Sequence, residues 1–218
     1  MCNDGTLWLN IGDSYQSTRI YLKDQIDSGK ELINLHMKDY QKYPDKRANF
    51  KGGEYKIKRK DMFGIPWRVA FALQEYGWFL RSDIIWSKTN PMPENVHDRP
   101  SKSHEYIFLF SKKQHYYFDE DMIREKSGAK CRTVWSHAVD SSGLGHYAAF
   151  PEQLINKCVI AGSPENGIIL DPFFGSGTTG SVCLKNNRNF IGIEINPDFA
   201  FIAQNRLGPM LKQTRLKT

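Results

Sequence analysis

Apolar residues along this chain fall in short clusters separated by polar stretches, and the spacing within each cluster predicts an element. Thr6-Leu7-Trp8-Leu9-Asn10-Ile11 follows an Asp4-Gly5 turn and predicts a buried strand. Ile65-Pro66-Trp67 opens a helix, with proline in the first turn where its missing N–H costs nothing. Val69, Ala72, Leu73 and Tyr76 recur at helical spacing, and Gly77 ends the run. Trp78 to Trp86 and Glu105 to Phe110 predict two more strands, while 87–103, with three prolines, reads as loop. Further on, Pro151-Glu152-Gln153-Leu154-Ile155 starts a helix to about Ala161, and Gly167-Ile168-Ile169-Leu170-Asp171 is a short buried strand. A glycine turn leads into a helix from Thr178 to Lys185, and Phe190-Ile191-Gly192-Ile193-Glu194 is the next strand. Asn196-Pro197-Asp198 caps a last amphipathic helix through Leu207. Strands alternating with helices predict an α/β fold with a mostly parallel sheet in a single domain, 1–218.

Two stretches carry no such period. Residues 17–60 are polar, hold at most a short helix near Lys23–Met37, and form a basic insertion that includes Lys56, Lys58, Arg59 and Lys60. Residues 119–145 are again polar and irregular, and read as a candidate recognition segment. The formal charge of +6 is compatible with a polyanionic partner without requiring one. Four cysteines, Cys2, Cys131, Cys158 and Cys183, are scattered without a CxxC pair, which speaks against a zinc site, and no metal is expected. The aromatic content supplies a core without disulfides, and neither a secretory signal nor a membrane span is visible, so a reducing cytoplasm is the expected location.

The chemistry concentrates near the C-terminal end. Asp171-Pro172-Phe173-Phe174-Gly175-Ser176-Gly177-Thr178-Thr179-Gly180 joins a strand, a glycine turn and a helix start, and Glu194 ends the following strand. This is the layout of a nucleotide-type ligand bound at the carboxyl ends of parallel strands: glycines let backbone approach the ligand, and a carboxylate about twenty residues on accepts ribose hydroxyls. Gly175, Gly177 and Gly180 keep the GxGxxG spacing, but the Asp171-Pro172-Phe173 opening is foreign to a dinucleotide fingerprint.

The Asp171–Thr179 stretch resembles instead the cofactor loop of S-adenosylmethionine-dependent DNA amino-methyltransferases, the adenine-N6 and cytosine-N4 class. Four further stretches carry the resemblance: Asp4–Tyr15, Asp83–Pro93, His104–Lys112 and His146–Pro151. The resemblance implies a Rossmann-like methyltransferase sheet in which this chain supplies five strands, with one antiparallel strand near an edge. It implies S-adenosylmethionine as cofactor, held by Phe150, Asp171, Pro172, Phe173, Gly175, Ser176, Gly177, Thr178, Glu194 and Asn196. It implies double-stranded DNA as partner, with Lys56, Lys58, Arg59 and Lys60 as candidate phosphate contacts and 119–145 as candidate target-recognition segment. The family's Ser-Pro-Pro-Tyr or Asp-Pro-Pro-Tyr tetrapeptide would precede Asp4, and this sequence contains no Pro-Pro. The expectation is therefore an incomplete sheet, lacking the strand that carries the tetrapeptide, with no catalytic residue in this chain. A complementary N-terminal fragment or a homodimer would complete it; the alternative is a truncated, inactive relative that binds cofactor or DNA. Asp13 and Trp135 stay open, the first between a site role and none, the second between a base contact and core packing.

Overall fold

The computed structural model of the chain describes residues 2–15, 60–139 and 150–215, with side chains to 211. The helix expected near Lys23–Met37, the cations Lys56, Lys58 and Arg59, and residues 140–149 lie outside the described residues. The chain divides into two compact units, Gly12–Val69 on one hand and Met1–Ile11 with Ala70–Thr218 on the other.

In the smaller unit Asp13 organises the described backbone. Its Oδ1 accepts the N–H of Ser14 at 2.9 Å and of Ile65 at 3.1 Å, and its Oδ2 accepts that of Gly64 at 3.0 Å. These bonds satisfy donors at the start of helix α1 (Ile65–Glu75), where the positive end of the helix dipole favours a carboxylate. Asp13 thus serves as a helix cap. The Phe63 N–H donates to the Ser14 carbonyl at 2.9 Å, and Tyr15 bridges to Met62. Helix α1 ends where Gly77 takes φ +94°, as the sequence indicates.

The larger unit holds two sheets. One is four-stranded, in the order β1-β3-β2-β4: β1 (Thr6–Ile11), β3 (His104–Ser111), β2 (Phe79–Lys88) and β4 (Val134–His137). The other pairs β5 (Ile168–Asp171) with β6 (Asn189–Gly192) in parallel. Strand β3 runs against both neighbours, while β2 and β4 run together, so β3 is the reversed strand that the resemblance implies. Six strands are present among the described residues rather than five. The addition is β4, inside a stretch that reads as irregular; only four residues long, it is too short for its alternation to stand out.

Strand β3 explains its own hydrophobic run. Ile107, Phe108, Leu109 and Phe110 are all buried, as in a strand covered on both faces. Ile84, Trp86, Ile107 and Trp135 pack with Leu154 and Cys158 of helix α2 (Glu152–Gly162), and Phe150 and Val139 rest against this cluster. Trp135 is 3% exposed and its Nε1 donates to the Arg132 carbonyl at 2.7 Å, so it is a core residue and offers no face to a base. Helix α2 then meets β1: Thr6 Oγ1 donates to the Gly162 carbonyl at 3.1 Å and accepts from Trp8 Nε1 at 3.1 Å. A Cβ on Gly162 would lie 2.4 Å from Trp8 Nε1, so only glycine allows this approach.

On the second sheet, Ile169 and Phe190 point inward against Val159, Val182 and Cys183, contributed by α2 and helix α3 (Thr178–Lys185). The terminal helix α4 (Pro197–Arg215) extends beyond its expected end at Leu207, through Gly208-Pro209. No described helix is long and apolar enough to cross a membrane.

Candidate functional site

The glycine turn after β5 is built on a single inward-facing ring. Of the paired phenylalanines, Phe173 is 88% exposed, whereas Phe174 turns under the loop and stacks on Phe190 at 5.4 Å. Three glycines make room for it. A Cβ on Gly192 would sit 2.4–2.6 Å from the Phe174 ring, and one on Gly180 would sit 2.7 Å from Phe174 Cζ and 2.8 Å from Leu207 Cδ1. Gly177, at φ +82°, has Phe174, Ala203 and Leu207 within 3.4 Å of its missing Cβ. The glycine at 180 therefore has a packing cause, the room it leaves for Phe174 and Leu207.

The loop backbone is fixed by carboxylates. Asp171, at the end of β5, accepts the Phe173 N–H at 3.0 Å on Oδ1 and the Thr179 hydroxyl at 2.6 Å on Oδ2. Glu194 Oε2 accepts the Gly175 N–H at 2.7 Å, and its Oε1 accepts the Asn196 N–H at 2.8 Å. Each carboxylate oxygen has two lone pairs, so these bonds orient Glu194 and leave acceptor capacity for further donors. Gly175, at φ +53°, holds a left-handed conformation that glycine adopts without strain. Asn196 Oδ1 accepts the Asp198 N–H at 2.9 Å in the first turn of α4.

The structure thus brings Asp171, Pro172, Phe173, Gly175, Ser176, Gly177, Thr178, Glu194 and Asn196 into one locality. Phe150 stands apart from these bonds, half-buried against the Trp86–Trp135 cluster. Lys60 is exposed at φ +71° in a turn.

Two features escape the sequence reading. Ile195 is 99% exposed beside Glu194, so it and Phe173 present bare apolar surface at the loop. Arg206 of α4 buttresses the loop from behind: its Nη1 donates to Thr178 Oγ1 at 3.1 Å and to the Ser176 carbonyl at 3.5 Å, and its Nη2 meets Glu152 Oε1 at 2.9 Å. Glu152 also accepts from Ser181 and Lys185. Burial pushes its carboxyl up, but the hydrogen bonds from Lys185 and Ser181 and the charges of Lys185 and Arg206 outweigh this and hold it below the ordinary range. The Glu152–Arg206 pair therefore ties the start of α2, next to Phe150, to the cofactor-type loop. Asn10 is also committed: its amide donates to Glu105 Oε2 and the Tyr106 carbonyl, both at 3.1 Å, while Glu105 pairs with Lys88.

A parallel strand, a glycine turn closed by an acidic residue just beyond the next strand, and a helix leaving the turn define a nucleotide-type cofactor site on a Rossmann-like α/β sheet. The comparisons make this specific, because the family model described as DNA methylase, of the N6/N4 group, matches residues 1–205, and the chain belongs to that family. The Type II methyltransferase M.SmaI of Serratia marcescens is 45% identical over 211 residues, covering 94% of this chain and 68% of that protein. M.Cfr9I of Citrobacter freundii is 43% identical over 212 residues, covering 95% of this chain and 66% of that protein. The chain therefore spans about two thirds of the length of these relatives. Among solved structures, the M1.HpyAVI–SAM complex superposes with a TM-score of 0.56 at 31% identity, over 66% of this chain and 70% of that one. The cytosine-N4-specific PvuII DNA methyltransferase shares the fold, with a TM-score of 0.60 at 16% identity, over 87% of this chain and 77% of its own.

Proposed function

We propose that this chain forms the cofactor-binding part of a site-specific DNA methyltransferase that moves a methyl group from S-adenosylmethionine to an exocyclic amine, adenine N6 or cytosine N4. The observation that carries this reading is the Gly175–Glu194 arrangement: a carboxylate locked by two backbone N–H groups at the rim of a loop whose glycines keep side chains out of the way. The residues fit the cofactor. Glu194 offers remaining acceptor capacity to the two ribose hydroxyls, and Gly175, Ser176 and Gly177 supply a close backbone wall. The bare faces of Phe173 and Ile195 suit the flat adenine, Asn196 lies next to the ribose carboxylate, and Phe150 belongs to the segment that by resemblance approaches the methionine part of the cofactor. When bound, the cofactor supplies an electrophilic sulfonium methyl; the residues of this chain bind, orient and enclose it. The basic stretch 56–60 and segment 119–145 carry the DNA contacts in this reading.

The acceptors that hold the target amine belong to the family's Pro-Pro tetrapeptide, and a strand-bearing segment with that motif completes the site. Two observations support this. Among the described residues β1 pairs only with β3, and β5 only with β6, so each sheet keeps a free edge. Ile168, Leu170 and Ile191, on the face of β5–β6 turned away from α2 and α3, are 70%, 59% and 54% exposed, a surface that polar solvent covers poorly. The test is transfer of tritiated methyl from S-adenosylmethionine to mixed-sequence DNA. The chain alone is expected to be inactive and to gain activity with a co-expressed segment carrying Ser-Pro-Pro-Tyr. Robust transfer by the chain alone would show a different catalytic solution.

A further inference from the structure

Away from the cofactor loop, the edge strand β4 borders an open cavity of about 740 Å³. Its ionisable lining consists of Arg132, Lys157, His137 and Glu125, with the exposed Ser136 beside them. The two permanent cations here differ from their neighbours in how they are held. Arg124 pairs with Asp121 and Glu120, and Lys130 pairs with Glu120. Neither Arg132 nor Lys157 is paired with a carboxylate among the described residues. Lys157 Nζ instead lies 5.0 Å over the buried Trp135 ring and 3.5 Å from Cys131 Sγ, a position set by an apolar platform. Burial and the Lys157 charge depress the His137 pKa, so the imidazole is neutral near pH 7 and serves as a hydrogen-bond group. Two cations against the single Glu125 carboxylate leave the cavity net positive. A base has no purchase in it, because Trp135 shows no face.

We infer that this cavity docks a DNA backbone phosphate between Arg132 and Lys157. The inference rests on the DNA reading of the preceding section and names a surface for it. A phosphodiester presents two acceptor oxygens and one negative charge, which matches a guanidinium fork and an ammonium lining one cavity, with Ser136 as a neutral donor. Such a contact reads no sequence; it sets the orientation of the duplex on the protein.

The test has two arms. Binding of a mixed-sequence duplex is followed by fluorescence anisotropy across a salt series, for the parent chain, the double variant Arg132→Ser/Lys157→Ser and the control Lys112→Ser/Lys113→Ser, two exposed cations outside segment 119–145. Loss of this one phosphate contact is expected to flatten the slope of log affinity against log salt by about 0.9, with no change in the control. The second arm uses the parent chain alone. Cys131 is half-buried beside Lys157, Cys2 is exposed, and Cys158 and Cys183 are buried with thiols pushed up by burial. Duplex is expected to slow alkylation of Cys131 several-fold and leave Cys2 unchanged. If the duplex binds, Cys131 stays unprotected and the slope holds, the DNA docks elsewhere and the inference falls while the DNA reading stands. If the parent binds no duplex, both fall. Protection of Cys131 by polyglutamate equal to that by duplex would overturn the assignment to phosphate.

Discussion

Gly192→Ala is the sharpest perturbation of the loop, because the structure states what the added methyl would strike. The new Cβ would lie 2.4–2.6 Å from three atoms of the Phe174 ring, well inside contact distance. The ring has nowhere easy to go: it is stacked on Phe190 and bounded by Gly177 and Gly180. Overpacking of this kind costs about 1–3 kcal/mol. The Phe174 N–H bonds the Ile193 carbonyl at 3.0 Å, so displacing the residue also strains the register of Glu194 against Gly175. Gly192→Ala is therefore expected to lower both folding stability, read by urea denaturation, and affinity for S-adenosylmethionine, read by calorimetry. Phe174→Ala opens a cavity and is expected to cost about 3 kcal/mol, the low end for a phenylalanine truncation, because the ring is only partly buried. The double variant places the new methyl into the vacated space. Its loss should fall short of the sum of the single losses by at least about 1 kcal/mol, since residues in contact are not additive. A Gly192→Ala variant within about 0.5 kcal/mol of the parent, or strict additivity, would refute the role given to Phe174.

Three further outcomes follow from the same geometry. Arg206→Ala removes charge-assisted bonds to Glu152 and Thr178 and should cost about 1.5–3 kcal/mol, with weaker cofactor binding that Arg206→Lys restores only in part. Glu152 has a folded pKa below its ordinary 4.5, so its stabilisation is complete above that pH and is lost only as pH falls through the depressed value. Acid denaturation of the parent against Glu152→Gln checks this, and a parent that loses stability between pH 5 and pH 7 through Glu152 would contradict the sign. Gly162→Ala should destabilise through its clash with Trp8 Nε1 and Thr6 Oγ1 by about 1–3 kcal/mol, read as a lower melting temperature, and a neutral effect would mean that β1 does not approach α2 as described.

Much of the architecture was legible because the elements that flank the loop have strong local signals. The helix over Thr178–Lys185 and the strand ending at Asp171 lie where apolar spacing and the glycine turn place them. The rest depended on contacts distant in sequence. Strand β4 is stabilised by pairing with β2 and by burial of Trp135, and four residues of Val-Trp-Ser-His show too little period to reveal it. Gly208-Pro209 reads as a stop, yet α4 continues through it. Of the two phenylalanines in the loop, the sequence singles out Phe173 and passes over Phe174, whose importance lies in three glycines spread over sixteen residues of chain from Gly177 to Gly192. Arg206 carries no motif; only the fold brings it to Ser176 and Glu152. The capping role of Asp13 was not readable, because 52 positions separate it from Ile65 and no local signal links the two.

The central claim is that Glu194, oriented by Gly175 and Asn196, holds the ribose of S-adenosylmethionine. Calorimetric titration of S-adenosylmethionine into the parent chain, Glu194→Ala and Glu194→Gln tests it most directly, with folding of each variant checked by circular dichroism. The alanine variant is expected to lose about 1.5–3 kcal/mol of binding free energy, the size of hydrogen bonds to a charged group, and glutamine, which keeps one acceptor oxygen, should fall between the two. Equal affinity for all three folded proteins would contradict the account.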